Sequence, residues 1–125
     1  MSSADPAEPL PERQQELEDG RWALSVCGLC RYCDGYCPVF PAARRRPALT
    51  PGDLAYVANL CHQCGNCWYA CQYAPPHPFA VNVPRTLARL RYRSWQNYAW
   101  PALPAGVFRH NGALVLALTL LAVLG

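Results

Sequence analysis

A chain of 125 residues with 13 prolines has room for one small domain and little room for a large apolar core. Its formal net charge of +3 is unevenly divided: residues 1–34 hold seven of the eight acidic groups and three arginines, while residues 35–125 hold Asp53 alone against eight arginines. The arginine blocks (Arg44, Arg45, Arg46, then Arg85, Arg89, Arg91, Arg93) come with no nucleic-acid-binding motif. They therefore read as countercharge for anionic groups or as a face toward anionic lipid, with no nucleic acid partner.

Residues 1–20 form a polar N-terminal segment. The start, Met1-Ser2-Ser3-Ala4-Asp5-Pro6, has neither a basic cluster nor an apolar stretch, so it does not read as a secretory signal. Within this segment Pro11 to Asp19 predicts a short helix, with proline in its first turn and Gly20 as its stop. Arg21 to Val26 leads into the first cysteine run, Cys27, Cys30, Cys33 and Cys37. Residues 38–49 predict a loop carrying Pro38, Pro41, the arginine triplet and Pro47. Thr50-Pro51-Gly52-Asp53 then opens a helix, with Thr50 as cap and Asp53 where a capping-box acid belongs. Leu54, Val57, Ala58 and Cys61 share one face of that helix. The second run is Cys61, Cys64, Cys67 and Cys71. Pro75, Pro76, Pro78 and Pro84 predict extended chain over 72–84.

Residues 85–112 read as a basic, aromatic juxtamembrane segment. Arg85, Arg89 and Arg93 share a helical face, and Trp95, Tyr98 and Trp100 follow, the composition of a membrane interface. Ala113 to Gly125 is a run of 13 residues without charge, with Thr119 its one polar residue. A spanning helix needs about 20 apolar residues. The run is read as the first part of a membrane helix, with a buried core helix as the rival.

Both cysteine runs read C-x2-C-x2-C-x3-C, and no cysteine is left over. This is the bacterial-type run that holds cubane iron–sulfur clusters, in which the fourth cysteine serves the other run's cluster. Each two-residue gap is one tight turn, so three thiolates wrap three corners of one cube. The fourth, one residue further on, points away toward the neighbour. Two 4Fe–4S clusters are therefore expected, one on Cys27, Cys30, Cys33 and Cys71, the other on Cys61, Cys64, Cys67 and Cys37. Structural zinc prefers two well-separated ligand pairs. A disulfide framework belongs to secreted scaffolds. A covalent c-type haem needs C-x-x-C-H, and Ala58 stands where the first cysteine before His62 would be. Cluster ligation implies a reducing, cytoplasmic setting. Gly28, Gly35 and Gly65 either let the backbone approach sulfide or simply form turns. The capped helix between the runs argues for a helical ferredoxin over a β-hairpin one. The expected fold class is mainly α: an α-helical dicluster ferredoxin over 21–84, then the juxtamembrane segment, then the start of a transmembrane helix at 113–125.

The string Cys30-Arg-Tyr-Cys-Asp-Gly-Tyr-Cys-Pro-Val-Phe-Pro41 is similar to the N-terminal part of the tricarballylate- and citrate-utilisation protein B family. So are the stretches Ala58 to Phe79 and Ala80 to Leu87. Gln72 after Cys71, where Pro38 follows Cys37, suits this family better than a generic ferredoxin. The resemblance covers roughly residues 22–101. It implies a dicluster ferredoxin fused to several membrane helices in the cytoplasmic membrane. It implies a flavoprotein dehydrogenase of a tricarboxylate as electron donor, the membrane quinone pool as acceptor, and a b-type haem in the membrane part.

The expected activity is electron relay, since no G-x-G-x-x-G fingerprint marks a flavin or nicotinamide site. The alternatives are a helical ferredoxin subunit of another oxidoreductase, such as a heterodisulfide-reductase-like complex, and a redox-sensing iron–sulfur regulator. A place beside a flavoprotein of cobalamin ring contraction is a further one. Arg85, Arg89, Arg91, Arg93 and Arg109 flank the apolar run, which predicts clusters on the cytoplasmic side. The acidic segment before Cys27 and Arg44, Arg45 and Arg46 are expected to dock the partner. His110, just before the apolar run, is the candidate to face a haem or quinone, more simply an interfacial side chain. His62 and His77 are expected to be structural.

Overall fold

The computed structural model describes residues 12–98 and 110–124, which form six helices and no strand. These are α1 (Glu12–Cys30), α2 (Val39–Arg44), α3 (Pro51–Leu60), α4 (Asn66–Tyr69), α5 (Val83–Tyr98) and α6 (Asn111–Leu124). The chain divides into two compact units, Met1–Arg91 and Tyr92–Gly125.

In the first unit, α1, α2 and α3 pack on one another. α1 does not stop at Gly20; it runs on for ten residues and carries the first two cysteines in its last turn. Glycine inside a helix costs about 1 kcal/mol relative to alanine. Packing offsets that cost here. Gly20 is buried, and a Cβ on it would stand 2.8 Å from Leu90 Cδ1 and 3.4 Å from Leu54 Cδ2. The missing side chain lets α1 lie close against α3 and α5. Gly20, Ala23 and Leu24 line the buried face, and Cys27 follows at the next position of the same stripe. The helix ends at Arg31, whose φ of 59° is left-handed and whose N–H bonds the Cys27 carbonyl at 2.8 Å.

α3 repeats this plan. Its capping box is complete: the Asp53 N–H donates to Thr50 Oγ1 at 3.2 Å, and the Thr50 N–H donates to Asp53 Oδ2 at 3.0 Å. Leu54, Val57 and Ala58 are wholly buried, and Cys61 follows as the C-cap. Within the predicted loop at 38–49, α2 buries Val39, Phe40, Ala42 and Ala43. Arg44, the last residue of α2, pairs with Asp34, and Arg46 pairs with Asp53 and also lies 4.1 Å over the Tyr56 ring. Two of the three arginines expected to dock a partner are thus engaged within the chain.

Residues 72–82 carry no helix or strand, but the chain expected to be extended over 72–84 is folded into successive turns, with the His77 N–H on the Ala74 carbonyl at 3.0 Å and the Ala80 N–H on the His77 carbonyl at 2.9 Å, and Pro75–Pro76 is a cis peptide. The Val81 N–H returns to the Tyr73 carbonyl at 2.9 Å and closes this stretch. α5 then buries Val83, Leu87 and Leu90 and turns Arg85 and Arg89 outward. It begins two residues before the predicted start at 85. The core is small, and half-buried cysteines of both runs pack against it. A domain of this kind depends on added staples.

In the second unit, α6 covers the predicted apolar run but buries none of its residues. Thr119 Oγ1 donates to the Val115 carbonyl at 2.8 Å, so its one side-chain hydroxyl is satisfied within the helix. At 14 residues α6 is about 21 Å long at 1.5 Å per residue. Among the described residues no helix is long and apolar enough to cross a membrane. Residues 1–11, Trp100, Arg109 and Gly125, which entered the expectations above, lie outside the described residues.

Candidate metal centre

The two helices α1 and α3 deliver their cysteine runs in different backbone forms. Cys27 and Cys30 are one helical turn apart on α1. Cys33 and Cys37 follow in turns, closed by the Asp34 N–H on the Arg31 carbonyl and the Tyr36 N–H on the Cys33 carbonyl at 3.2 and 3.0 Å. In the second run Cys61 is extended, with ψ 123°, and Gln63 and Gly65 are left-handed, with φ of 57° and 78°. Gly65 starts the short α4, which carries Cys67, and the Cys71 N–H bonds the Trp68 carbonyl at 3.2 Å.

These elements bring thiols of both runs together. Cys27, Cys30, Cys33 and Cys71 line one cavity of about 280 Å³, with Cys67 also at its wall. Val26, Phe40, Trp68, Tyr73, Val81 and Val83 make most of the remaining wall apolar, with Arg31, Asp34 and Gln72 as its polar part. Burial pushes the Cys27 thiol up to about 12, and Cys71, Cys33, Cys67 and Cys30 add to it as neighbouring negative charges. Burial pushes Cys67 up to about 11, and its neighbours are Cys33, Cys37, Cys61 and Cys64. Cys33 is raised by burial first, then by Cys71, Cys30 and Cys37. Thiolates crowded in this way need a cation among them, and loading one releases protons.

All eight cysteines are free, and Cys64 alone is exposed; the other seven are half-buried. Among the described residues no three or more His, Cys, Asp or Glu side chains converge as ligands of a single ion. A cube offers each thiolate a different corner iron and asks for no such convergence. Soft thiolates without imidazole or carboxylate are the donor set of iron–sulfur clusters. The residues present fit that group.

Three features around the sulfurs were not foreseen. Gln63 Nε2 donates to Cys61 Sγ at 3.3 Å, and Gln72 Nε2 donates to Cys30 Sγ at 3.6 Å. Arg91 donates from Nε and Nη2 to the Ala58 carbonyl at 3.1 and 3.0 Å, and from Nη2 to the Cys61 carbonyl. The signal for Gln72 was in the sequence, since it replaces the proline found after Cys37. Arg91 was visible only as one of a basic block.

The glycines divide. Gly65 has the positive φ that favours glycine, whereas Gly28 and Gly35 do not, and a Cβ on either would meet nothing within 4 Å. His77 Nδ1 accepts from the Phe79 N–H at 3.1 Å, and its ring packs against Tyr73 and Phe79. That is the structural role expected of it. His62 and His110 are exposed.

The chain matches the family described as Citrate utilization protein B Fer4-like domain over residues 20–97. It is 47% identical over 106 residues to Citrate utilization protein B of Escherichia coli, a match that covers 85% of this chain and 27% of that protein. The chain thus spans about a quarter of that relative's length. No solved structure matches it. With the cysteine-lined helical domain falling inside the matched span, the chain belongs to the citrate utilization protein B family, through its ferredoxin-like iron–sulfur domain.

Proposed function

We propose that this chain is the iron–sulfur part of a membrane electron carrier. It takes electrons from a reduced flavoprotein dehydrogenase of the tricarballylate- or citrate-utilisation type and passes them toward membrane quinone. One observation carries this reading: Cys71 of the second run meets Cys27, Cys30 and Cys33 of the first around one cavity. Cys37 stands with Cys61 and Cys64 among the neighbours of Cys67, as does Cys33 of the other set. These groupings support the crossed ligand sets of two 4Fe–4S clusters.

When bound, each cluster exchanges one electron at a time, so two of them drain a two-electron flavin in two steps. The chain's own residues supply the rest. Eight thiolates anchor the clusters. Val26, Phe40, Val81 and Val83 keep water from the first of them, and the two glutamine amides bond ligand sulfur. Arg45, Arg85 and Arg89 remain exposed for docking an acidic partner surface.

The lipid bilayer is supported by α6. Its leucines and valines are exposed, Leu124 by 83% and Val123 by 76%, an apolar surface that seeks lipid or protein. Trp95 and Tyr98, exposed near the end of α5, suit an interface. We place the cluster domain on the cytoplasmic side of the cytoplasmic membrane. A reporter fused to the N-terminus should be active in the cytoplasm; activity confined to the periplasm would reverse the orientation.

Stopped-flow mixing of the reduced flavoprotein with the anaerobically loaded chain tests the relay. Bleaching of the cluster absorbance, slowed by added salt, is expected. Absence of bleaching at every ionic strength would reject the acceptor role, and tricarboxylate oxidation without flavoprotein would reject the claim of relay alone.

A further inference from the structure

The two thiolate sets stand in different electrostatic surroundings. Adding an electron to an iron–sulfur centre adds a negative charge, so water, cations and hydrogen bonds to sulfur raise its potential, and apolar burial lowers it. Cys61 has both kinds of support. The Arg91 guanidinium, always charged, grips the carbonyls of Ala58 and Cys61 where α3 ends and its negative pole lies. Gln63 donates to the sulfur of the same cysteine at 3.3 Å. Cys64, next in the set, is exposed to water.

The matching place in the other set is different. The Cys27 carbonyl takes the backbone N–H of Arg31 at 2.8 Å, and the Arg31 guanidinium faces, at 3.7 Å, the Asp34 carboxylate that Arg44 also pairs. Gln72 reaches Cys30 Sγ only at 3.6 Å. Cys27, Cys30, Cys33 and Cys71 are all half-buried around a largely apolar wall. The guanidinium on the Cys61 carbonyl and the exposed Cys64 therefore favour the second set, and its glutamine bond to sulfur is the shorter of the two.

We propose that Arg91 and Gln63 make the set Cys37, Cys61, Cys64 and Cys67 the higher-potential centre, so that an electron entering at the Cys27, Cys30, Cys33 and Cys71 set moves on to it. The step is a one-electron exchange: one centre is oxidised as the other is reduced, with the reduced flavoprotein as source. This rests on the two-cluster reading above. Arg91 acts here as a positioning and tuning residue.

The test is a redox titration of the anaerobically loaded chain, followed by electron paramagnetic resonance, with iron counted in the same samples. Arg91→Gln should move the higher of two midpoint potentials to a more negative value and leave the lower in place. Arg91→Lys should restore most of that shift. Gln63→Leu should move the same signal the same way by less, and Gln72→Leu should move the lower one. A fully loaded Arg91→Gln chain whose higher potential stays put, or whose lower one moves, would overturn the inference. If Arg91→Gln loses iron, Arg91→Lys and Gln63→Leu decide, and an unmoved higher potential in Gln63→Leu overturns it. A wild-type iron count that leaves no second cluster would sink the functional reading itself.

Discussion

The two cysteine runs have the same spacing and different backbones. Each cysteine of the second lies 34 residues after its counterpart, and so do the stripes that lead to them: Gly20, Ala23, Leu24 and Cys27 against Leu54, Val57, Ala58 and Cys61. Yet the first run begins inside a helix and the second begins after one has ended. The position after the second cysteine is left-handed in both, filled by Arg31 in one and Gly65 in the other. The spacing dictates which residues can be ligands. The neighbours decide what each backbone does between them.

The largest effect should come from breaking the exchange of fourth ligands. Cys37→Ser should strip the cluster of Cys61, Cys64 and Cys67, and Cys71→Ser that of Cys27, Cys30 and Cys33. Iron should fall from about eight to about four per chain in each, with complementary spectra. Loss of each run's own cluster instead would mean uncrossed ligation, and zinc without sulfide would end the iron–sulfur reading.

The next effect sharpens the pairing of Gly20 with Leu54. Leu54 is fully buried, so Leu54→Ala should cost about 2–5 kcal/mol. Gly20→Ala gains about 1 kcal/mol of helix propensity. It must also push aside the tip of Leu90, 2.8 Å from the new Cβ. The two nearly cancel, and Gly20→Leu, with no room at all, should cost about 1–3 kcal/mol. Thermal loss of cluster absorbance from the loaded chain would rank the three. A clear stabilisation by Gly20→Leu would contradict the close approach.

Arg31 and Gly65 make the third contrast. Gly65→Ala forces a Cβ into the left-handed region and should cost about 1–2 kcal/mol. Arg31→Gly relieves strain of that kind but frees the unfolded chain and removes an exposed ion pair with Asp34, so it should change stability by less than about 1 kcal/mol. Equal losses in the two variants would show that the left-handed turns do not matter.

The smallest effect concerns the cap that α3 owns. Thr50→Ala should cost about 1 kcal/mol in the same melting experiment. Thr50 hydrogen bonds hold the Asp53 carboxyl below its ordinary value, with the Arg46 charge assisting. The box is therefore complete above the ordinary carboxylate range and is lost as the pH falls through the lowered value. A Thr50→Ala deficit that stays constant down through that window would exclude this coupling.

Much of the site was legible before the fold. The duplicated run named all eight cysteines and offered crossed sets, because cluster ligation constrains residue type and spacing directly. Thr50, Pro51 and Asp53 announced α3, because a capping box is a local device whose partners are three residues apart. Gly20 misled. Read locally it is a helix stop; what overrides that is its contact with Leu54 and Leu90, distant in the chain. The loop expected over 38–49 hid α2, whose four buried residues are held by α1 and α3.

What the sequence alone determined is the chemistry: eight soft donors, their spacing, a basic C-terminal half and an apolar run. These follow from residue identity and short-range periodicity. Only the tertiary structure decided which thiols share a cavity, that Gln63 and Gln72 reach sulfur, and that Arg91, thirty residues on, closes the end of α3 at Cys61. Those depend on helices meeting at particular points. Side-chain packing at a buried glycine and a guanidinium on two carbonyls sets that meeting, and neither leaves a periodic mark in the chain.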